Sequence, residues 1–471
     1  MRIMLCDMPI SQENKFGKMK RFGSSSPPIN ILFLGTILER AGHEVRLTLE
    51  MRTMQEVAQE ISSFDPHIVG VTFMTIGSVY LPDFAAMVKR TAPNVILITG
   101  GYHSSLFPEQ VLTVDGVTAV FVGEGERNVL DFVSMCESGT PTPEGLAEIP
   151  GICFKDASGQ TVQTGSAEVV LDLDDLPFPN FELIPGYFKD FFGSINRHYL
   201  GNPQALFLTS RGCPFSCRFC GRQILGQRVR SNSSEYLLEL IAHCKASYGI
   251  KSIIYADEFF TLDRKKTLTF CDELERRDLS KIHWSCSGRV DNIDYEFASV
   301  LHQSGCRQIA YGSESGSQVI LEMLGKKVTV EQNAKAVLDA AHAGLQTYGS
   351  FIIGSPGETV DTLEDTRRFI LDNPFSFIGL LFFTPYPGSY FYEDQRYLQF
   401  GTIVDHDISH YNCFDGLPFV PHGMTAQYLR DFRGKLYRDF FLRSSRIVKE
   451  FEHILNPNSW RALFRLCGFN G

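Results

Sequence analysis

Cys213-Pro214-Phe215-Ser216-Cys217-Arg218-Phe219-Cys220 is the stretch around which this chain of 471 residues is organised. Its three cysteines are spaced CxxxCxxC. They follow the apolar run Ala205-Leu206-Phe207-Leu208-Thr209 and the break Arg211-Gly212, which puts the three sulfurs on a loop at a strand's end. A loop of this kind can wrap one metal centre. Iron–sulfur cubanes are held by thiolates, normally four, so a compact set of three leaves one iron open to an outside ligand. The alternatives are three buried structural cysteines or a partial zinc site. Structural zinc wants four nitrogen or sulfur ligands, usually in paired knuckles, and no second knuckle stands nearby.

This spacing, with the aromatic Phe219 before the last cysteine, resembles the radical S-adenosylmethionine superfamily. The resemblance implies that Cys213, Cys217 and Cys220 hold a 4Fe–4S cluster whose fourth iron chelates the amino and carboxylate groups of S-adenosylmethionine. It also implies an electron donor such as a flavodoxin or ferredoxin.

The length suggests two or three domains. With 44% hydrophobic and 21% charged residues the chain is globular with a sizeable core. The net charge of −10 and the lack of a dense Lys/Arg run argue against nucleic acid as the main partner. Met1 to Asp7 reads as a first strand and not as a signal peptide, and no apolar run is long enough to span a membrane. Twelve cysteines cluster in only one place, a pattern that suits reduced thiols in the cytoplasm.

Over residues 1–140 short apolar strands alternate with helical patterns, at Arg2–Cys6, Glu44–Leu49, His67–Phe73, Val95–Thr99 and Ala119–Val122. This rhythm predicts a doubly wound, Rossmann-like α/β domain with ligands at the carboxyl ends of its strands. Those ends read Thr75-Ile76-Gly77-Ser78, Gly100-Gly101-Tyr102-His103 and Gly123-Glu124-Gly125-Glu126, where glycine lets a backbone approach a ligand closely. The first strand is followed by Asp7-Met8-Pro9-Ile10, which lacks the glycines of a dinucleotide fingerprint. The segment Pro27 to Val45, with Gly100 to Glu109 and Gly123 to Glu126, resembles the cobalamin-binding domain of cobalamin-dependent radical S-adenosylmethionine proteins, a group with many methyltransferases and the anaerobic cyclase of bacteriochlorophyll synthesis. By that resemblance Thr75, Gly77, Ser78, Gly100, Gly101, His103, Glu124 and Gly125 lie along cobalamin. The DxHxxG motif that supplies a histidine to cobalt elsewhere is missing, so His103 reads as a loop residue near the corrin rather than a cobalt ligand.

Residues 141–200 read as a connector, with a small hairpin at Ile152–Phe154 and Thr161–Gln163 and a proline-bounded acidic run, Leu171 to Pro179, expected to be solvated. Over 201–390 six apolar strands begin at Leu206, Ser252, Ile282, Gln308, Thr347 and Phe377 with helical patterns between them, suggesting a partial (β/α)6, TIM-like barrel. Its strand ends carry Asp257-Glu258, Ser287-Gly288-Arg289, Gly312 to Gly316 and Gly354 to Glu358. The resemblance places Asp257 and Glu258 on the amino group of S-adenosylmethionine, and Arg289 and Glu314 on its carboxylate and ribose, as the residue types allow. Residues 391–471, with Phe432, Tyr437, Phe440, Phe441 and Trp460 among helical patterns, are expected to form a helical cap over the substrate.

The domain order implies a radical enzyme that methylates an unactivated carbon of a small molecule. A radical cyclase, oxidase or rearrangement enzyme with a non-methylating or vestigial cobalamin domain is the alternative. From another class stands a non-catalytic cobalamin carrier or iron–sulfur sensor. A methylthiotransferase would need a further amino-terminal cysteine set and a basic RNA-binding tail, and neither is visible.

Overall fold

The computed structural model describes residues 1–17, 27–49, 52–190 and 200–442. The first sheet contains β1 (Arg2–Asp7), β2 (Glu44–Thr48), β3 (Ile68–Thr72), β4 (Ile96–Gly100), β5 (Val117–Phe121), β6 (Ile152–Lys155) and β7 (Thr161–Gln163). Its order is β2-β1-β3-β4-β5-β6-β7, parallel through β5 and antiparallel from there. The central strands are apolar on both faces because both are covered. In β1, Ile3 and Leu5 face one apolar cluster while Met4 and Cys6 face the other. The helices follow from capping and period: Thr53 and Glu56 form a capping box, after which Val57, Ile61 and Phe64 bury one face of Met54–Phe64.

The hairpin expected in the connector is the edge of this first sheet, because β6 pairs with β5 through Phe154 and Ala119. The acidic run also departs from a solvated linker. Leu173 and Leu176 are buried in the same cluster as Ile3 and Leu5, together with Phe181, Ile184 and Tyr187. Asp174 accepts from Ser233 N at 2.9 Å and Asn232 Nδ2 at 3.0 Å, beside the amino end of the helix Ser234–Tyr248. Alternating Asp and Leu lets one side of the run pack while the other stays wet.

The second sheet contains β8 (Gln204–Phe207), β11 (Ser252–Tyr255), β12 (His283–Gly288), β13 (Cys306–Glu314), β14 (Gln346–Ile353) and β15 (Phe377–Phe382), in sequential order and all parallel. Between its first two strands lies a two-stranded antiparallel ribbon, β9 (Ser210–Arg211) with β10 (Arg230–Ser231). This is the open partial barrel the sequence predicts. Its two free edges are satisfied by tyrosines. Tyr187 Oη accepts from Leu206 N at 3.1 Å and lies 3.3 Å from Leu206 O on β8. Tyr437 Oη accepts from Leu380 N at 2.9 Å on β15, and Cys413 O accepts from Phe382 N.

Carboxyl-terminal to the barrel the described residues, up to 442, combine a hairpin with helices. A hairpin, Gly401–Ile403 with Phe419–Pro421, precedes the helix Ala426–Phe441. That helix runs beside Val360–Asp372, tied by Arg367 to Asp439 at 2.8 Å, and its Tyr437 meets the edge of β15. Its buried face is Leu429, Arg433, Leu436 and Phe440. Trp460 lies outside the described residues. No helix among the described residues is long and apolar enough to cross a membrane.

Tyr187 is buried, so Tyr187→Phe leaves both backbone groups of Leu206 without this partner. A loss of about 1–3 kcal/mol is expected, read as a fall of about 2–5 °C in the thermal midpoint at unchanged secondary structure.

Candidate active site

The cysteine loop leaves β8 through the ribbon and returns beside the barrel mouth. Cys213 N donates to Gly226 O at 3.1 Å, Arg218 N to Leu324 O at 2.9 Å and Cys220 N to Cys217 O at 3.1 Å. Phe219 packs into an apolar cluster of Ile320, Leu324, Ile352, Phe383 and Phe391, which anchors the loop's tip on the last strands. None of the eleven described cysteines is in a disulfide; Cys213, Cys217 and Cys220 are half-buried, whereas seven others are buried. Among the described residues no three acidic, histidine or cysteine side chains are already closed on a common centre.

Around this loop stand charged groups from three barrel strands. Burial pushes the Cys217 thiol up, Lys326 and Arg289 draw it back, and Glu314 and Cys213 add to the rise. Arg289 follows β12 and is buried. Its guanidinium lies 3.7 Å from the ring centre of Phe215, inside the cysteine loop, and Nε donates to Asp291 at 3.0 Å. Its Nη1 is buried without any hydrogen-bond acceptor. Glu314 closes β13 in the left-handed region, φ +63°, beyond a register shift after Gly312. Non-glycine residues held there are strained and cluster at functional sites. Its carboxylate accepts from Lys326 Nζ at 3.0 Å, and both side chains are buried. Lys326 escaped the sequence reading because it sits in Gly325-Lys326-Lys327 after a short helix, in no motif.

The other two residues expected on S-adenosylmethionine behave differently. Asp257 is buried, and its two oxygens accept from Thr209 N, Thr209 Oγ1 and Ser210 Oγ at 2.9, 2.8 and 2.5 Å. Burial raises its carboxyl against those bonds. It ties the end of β8 to β11. Glu258 is half-buried just after it, beside Phe259, whose ring meets Phe215 at 5.6 Å.

Inside the barrel, burial alternates with the pleat. Leu206, Ile254, Ser287, Ala310, Gly312, Tyr348, Ser350 and Leu381 share one face by register and are half-buried, while their neighbours against the helices are buried. The open face is mainly apolar with two serines and one tyrosine.

At the first sheet's carboxyl edge, Thr75, Gly77 and Ser78 form a 3-10 turn after β3, and Ser78 Oγ donates to Thr75 O at 2.7 Å. Gly77 and Gly101 answer internal packing: a Cβ would lie 2.9 Å from Phe73 at the first and 2.1 Å from Thr72 Oγ1 at the second. Gly100 ends β4 against Phe121. His103 is on the helix Tyr102–Leu106, not on a loop. It is buried between Phe73 and Phe107 with Nδ1 3.4 Å from Thr75 Oγ1, and burial lowers its pKa to about 4. Beside it the buried hydroxyls of Thr99 and Ser104 have no hydrogen-bond partner. Glu124 is taken up by Arg211 Nη1 and Arg230 Nη1, each at 3.0 Å, and lies below the usual carboxylate range: burial would raise it, and the arginines outweigh that. Gly125 follows it, facing Leu34.

Residues 207–370 match the radical SAM superfamily and residues 19–133 the B12 binding domain. Over 439 residues the chain is 30% identical to an uncharacterized methyltransferase of Pyrococcus horikoshii, covering 92% of this chain and 91% of that one. It belongs to the cobalamin-dependent radical S-adenosylmethionine enzymes. Another relative in this family is the anaerobic magnesium-protoporphyrin IX monomethyl ester cyclase of Cereibacter sphaeroides, 26% identical over 89% of this chain and 68% of that one. The fold is that of TsrM, a radical S-adenosylmethionine methyltransferase from Kitasatospora setae whose structure holds cobalamin and a [4Fe-4S] cluster, with TM-score 0.67 at 17% identity over 93% and 88% of the two chains. It is also that of the cobalamin-dependent enzyme OxsB, with TM-score 0.65 at 20% identity over 78% of this chain and 52% of that one, about half its length.

The family's cofactors are a 4Fe–4S cluster, S-adenosylmethionine and cobalamin, and its chemistry requires a substrate and a reductant. The residues present fit these groups. Three half-buried thiols on one loop suit a cluster with an open iron. The buried Nη1 of Arg289 without an acceptor suits a carboxylate beside the loop. The unpartnered hydroxyls of Thr99 and Ser104 suit a polar cofactor tail at the first sheet's edge.

His103 yields a pH prediction. Its folded pKa near 4 lies below the ordinary 6.5, so between those values the unfolded chain takes up a proton that the folded chain does not. Stability therefore falls as pH drops through that window and is untouched above it. The thermal midpoint is expected to fall less between pH 7 and pH 4.5 (roughly the ends of that window) in His103→Asn than in the parent.

Proposed function

We propose that the chain is a C-methyltransferase acting on an unactivated carbon of a small molecule held inside the barrel. The observation that carries this reading is the junction: Tyr102 and Glu124 at the first sheet's carboxyl edge touch residues 221 and 211 on either side of the cysteine loop. A methyl-carrying corrin and a hydrogen-abstracting centre would then open on one space. When bound, the cofactors supply reductive cleavage of S-adenosylmethionine and a transferable methyl group.

The protein's own residues bind, orient and exclude. Cys213, Cys217 and Cys220 would hold the cluster. Arg289, already fixed by Asp291 and Phe215, would present Nη1 to the carboxylate of S-adenosylmethionine, and Glu314 would keep one oxygen on Lys326 and offer the other to the ribose. Glu258 is the remaining carboxylate for the amino group. The half-buried face Leu206, Ile254, Ala310, Tyr348 and Leu381, with Ser287 and Ser350, favours a mainly apolar substrate with few hydrogen-bonding groups. Tyr187 and Tyr437, sealing the barrel's two edges, limit water entry from the sides, which protects a reactive carbon centre. The electron would come from a flavodoxin- or ferredoxin-type donor.

A second reading has a specific support: the cyclase of Cereibacter sphaeroides shares 26% identity over most of this chain. The same site would then start a ring closure or oxidation without methyl transfer.

Anaerobic purification and reconstitution, followed by a visible spectrum and mass spectrometry, should find both an iron–sulfur chromophore and cobalamin. With S-adenosylmethionine, reductant and candidate substrates, methylation forms S-adenosylhomocysteine and 5′-deoxyadenosine together. Turnover that gives 5′-deoxyadenosine alone, or that proceeds without cobalamin, would reject methylation. Cys213→Ala is expected to lose both the iron–sulfur absorption and cleavage of S-adenosylmethionine; a variant keeping both would overturn the cluster assignment.

A further inference from the structure

The ribbon that forms the neck of the cysteine loop places Arg211 directly opposite Arg230. Like charges facing across a ribbon repel, and these two are buried, with side chains 11% and 6% exposed. Such a pair can close only around anions. The anions come from the other domain. Glu124, on the loop after β5, accepts from Arg211 Nη1 and Arg230 Nη1 at 3.0 Å each and from Arg230 Nη2, and Glu126 accepts from Arg211 Nη2 at 2.5 Å. Two carboxylates thus balance two guanidiniums. Arg230 Nη1 also donates to Val170 O at 2.5 Å, and Glu124 accepts from Val170 N at 3.3 Å, so the connector is locked into the same cluster.

The far shoulder of the loop is held from the first domain as well. Tyr102 Oη, after β4, lies 2.8 Å from both Gly221 O and Pro387 O. A Cβ at position 221 would sit 1.9 Å from that hydroxyl, so only glycine after Cys220 admits the tyrosine.

We propose that Glu124 and Tyr102 form a two-point clamp through which the first domain closes the cysteine loop and fixes its place relative to the strand ends Gly100–Glu126. They are positioning residues. Glu124, which resemblance sets beside the corrin, acts as the counter-ion of the loop's neck. The purpose of the clamp rests on the reading that the loop carries a cluster and the first domain a corrin; the closure itself is a property of the chain without cofactors.

Hydrogen exchange on the full-length, cofactor-free protein under anaerobic conditions tests it. Removing one partner of a buried charge pair frees its neighbours strongly, so in Glu124→Gln the amides of Cys213 and Asn232 should exchange on the order of a hundredfold faster, with those of β13 and β14 unchanged. Adding Arg230→Gln removes the facing charge and should restore most of the protection. In Tyr102→Phe the faster exchange should appear at Cys220 and not at Cys213. Unchanged exchange at Cys213 in Glu124→Gln, or a double variant worse than the single one, overturns the neck; unchanged exchange at Cys220 in Tyr102→Phe overturns the shoulder. If Glu124→Gln fails to fold, the clamp stands or falls on Tyr102→Phe. In the reconstituted, reduced holoprotein Tyr102→Phe should also change the magnetic coupling between cluster and cob(II)alamin at unchanged iron and cobalamin content, and an identical spectrum counts against the clamp. Failure of the wild type to bind iron or cobalamin would reject the functional reading instead and leave the exchange result standing.

Discussion

One apolar cluster runs from a face of the first sheet, through the connector, into the outer layer of the barrel, and the position of the site depends on it. Ile3, Leu5 and Phe121 of the first sheet, Leu173, Leu176, Phe181 and Ile184 of the connector, and Phe207 and Ile253 of the barrel are all buried in it. Each such side chain is worth roughly 1.5–3 kcal/mol relative to exposure. A handful in the connector therefore far exceeds thermal energy, and the segment acts as a strut. Parallel sheets bind ligands at their carboxyl ends, so fixing the two sheets' relative placement decides whether those ends meet. Here they meet at the cysteine loop.

The charges at that meeting point are paired by different means. Glu314 and Lys326 neutralise each other within the barrel, leaving Arg289 as the buried cation with a hydrogen-bonding group still to satisfy. Among the described residues, Arg211 and Arg230 find their carboxylates across the domain seam. A buried ion pair is weak evidence for net stability but strong evidence for geometry, because a wrong placement leaves a charge unpaired in low dielectric. The first arrangement lies within one domain, and the second ties two domains together.

Strand alternation, helix period and the CxxxCxxC spacing made both sheets legible in the sequence. Tertiary partnering was not. A hairpin such as Ile152–Gln163 reads the same whether free or paired to an existing edge, and Leu173 and Leu176 show a period that only a neighbouring core explains. Carboxylates at strand ends were placed by resemblance and residue type. In the structure Asp257 also binds the backbone and hydroxyls of Thr209 and Ser210, and Glu124 two arginines, partners set by what folds against each side chain. Lys326 and Arg230 belong to no local pattern, since charges that pair across about a hundred residues, as Arg230 and Glu124 do, carry no sequence period. At Gly77 and Gly101 an added Cβ would meet the protein's own Phe73 and Thr72, contacts that no local pattern shows.

A six-stranded barrel is incomplete and exposes two strand edges, which would admit water or another strand. In this chain each edge is met by a tyrosine hydroxyl, Tyr187 from the connector on β8 and Tyr437 from the last described helix on β15. A hydroxyl can both accept and donate, so it satisfies a strand's backbone without extending the sheet. The half-buried residues of the interior face, among them Ser287, Ala310, Tyr348 and Ser350, share their sheet with the strand ends that carry Arg289 and Glu314. A closed eight-stranded core has its interior filled by side chains, whereas six strands leave the interior face of this sheet open on one side. The segments that meet those edges lie on either side of the barrel in sequence, the connector at β8 and the carboxyl-terminal helix at β15.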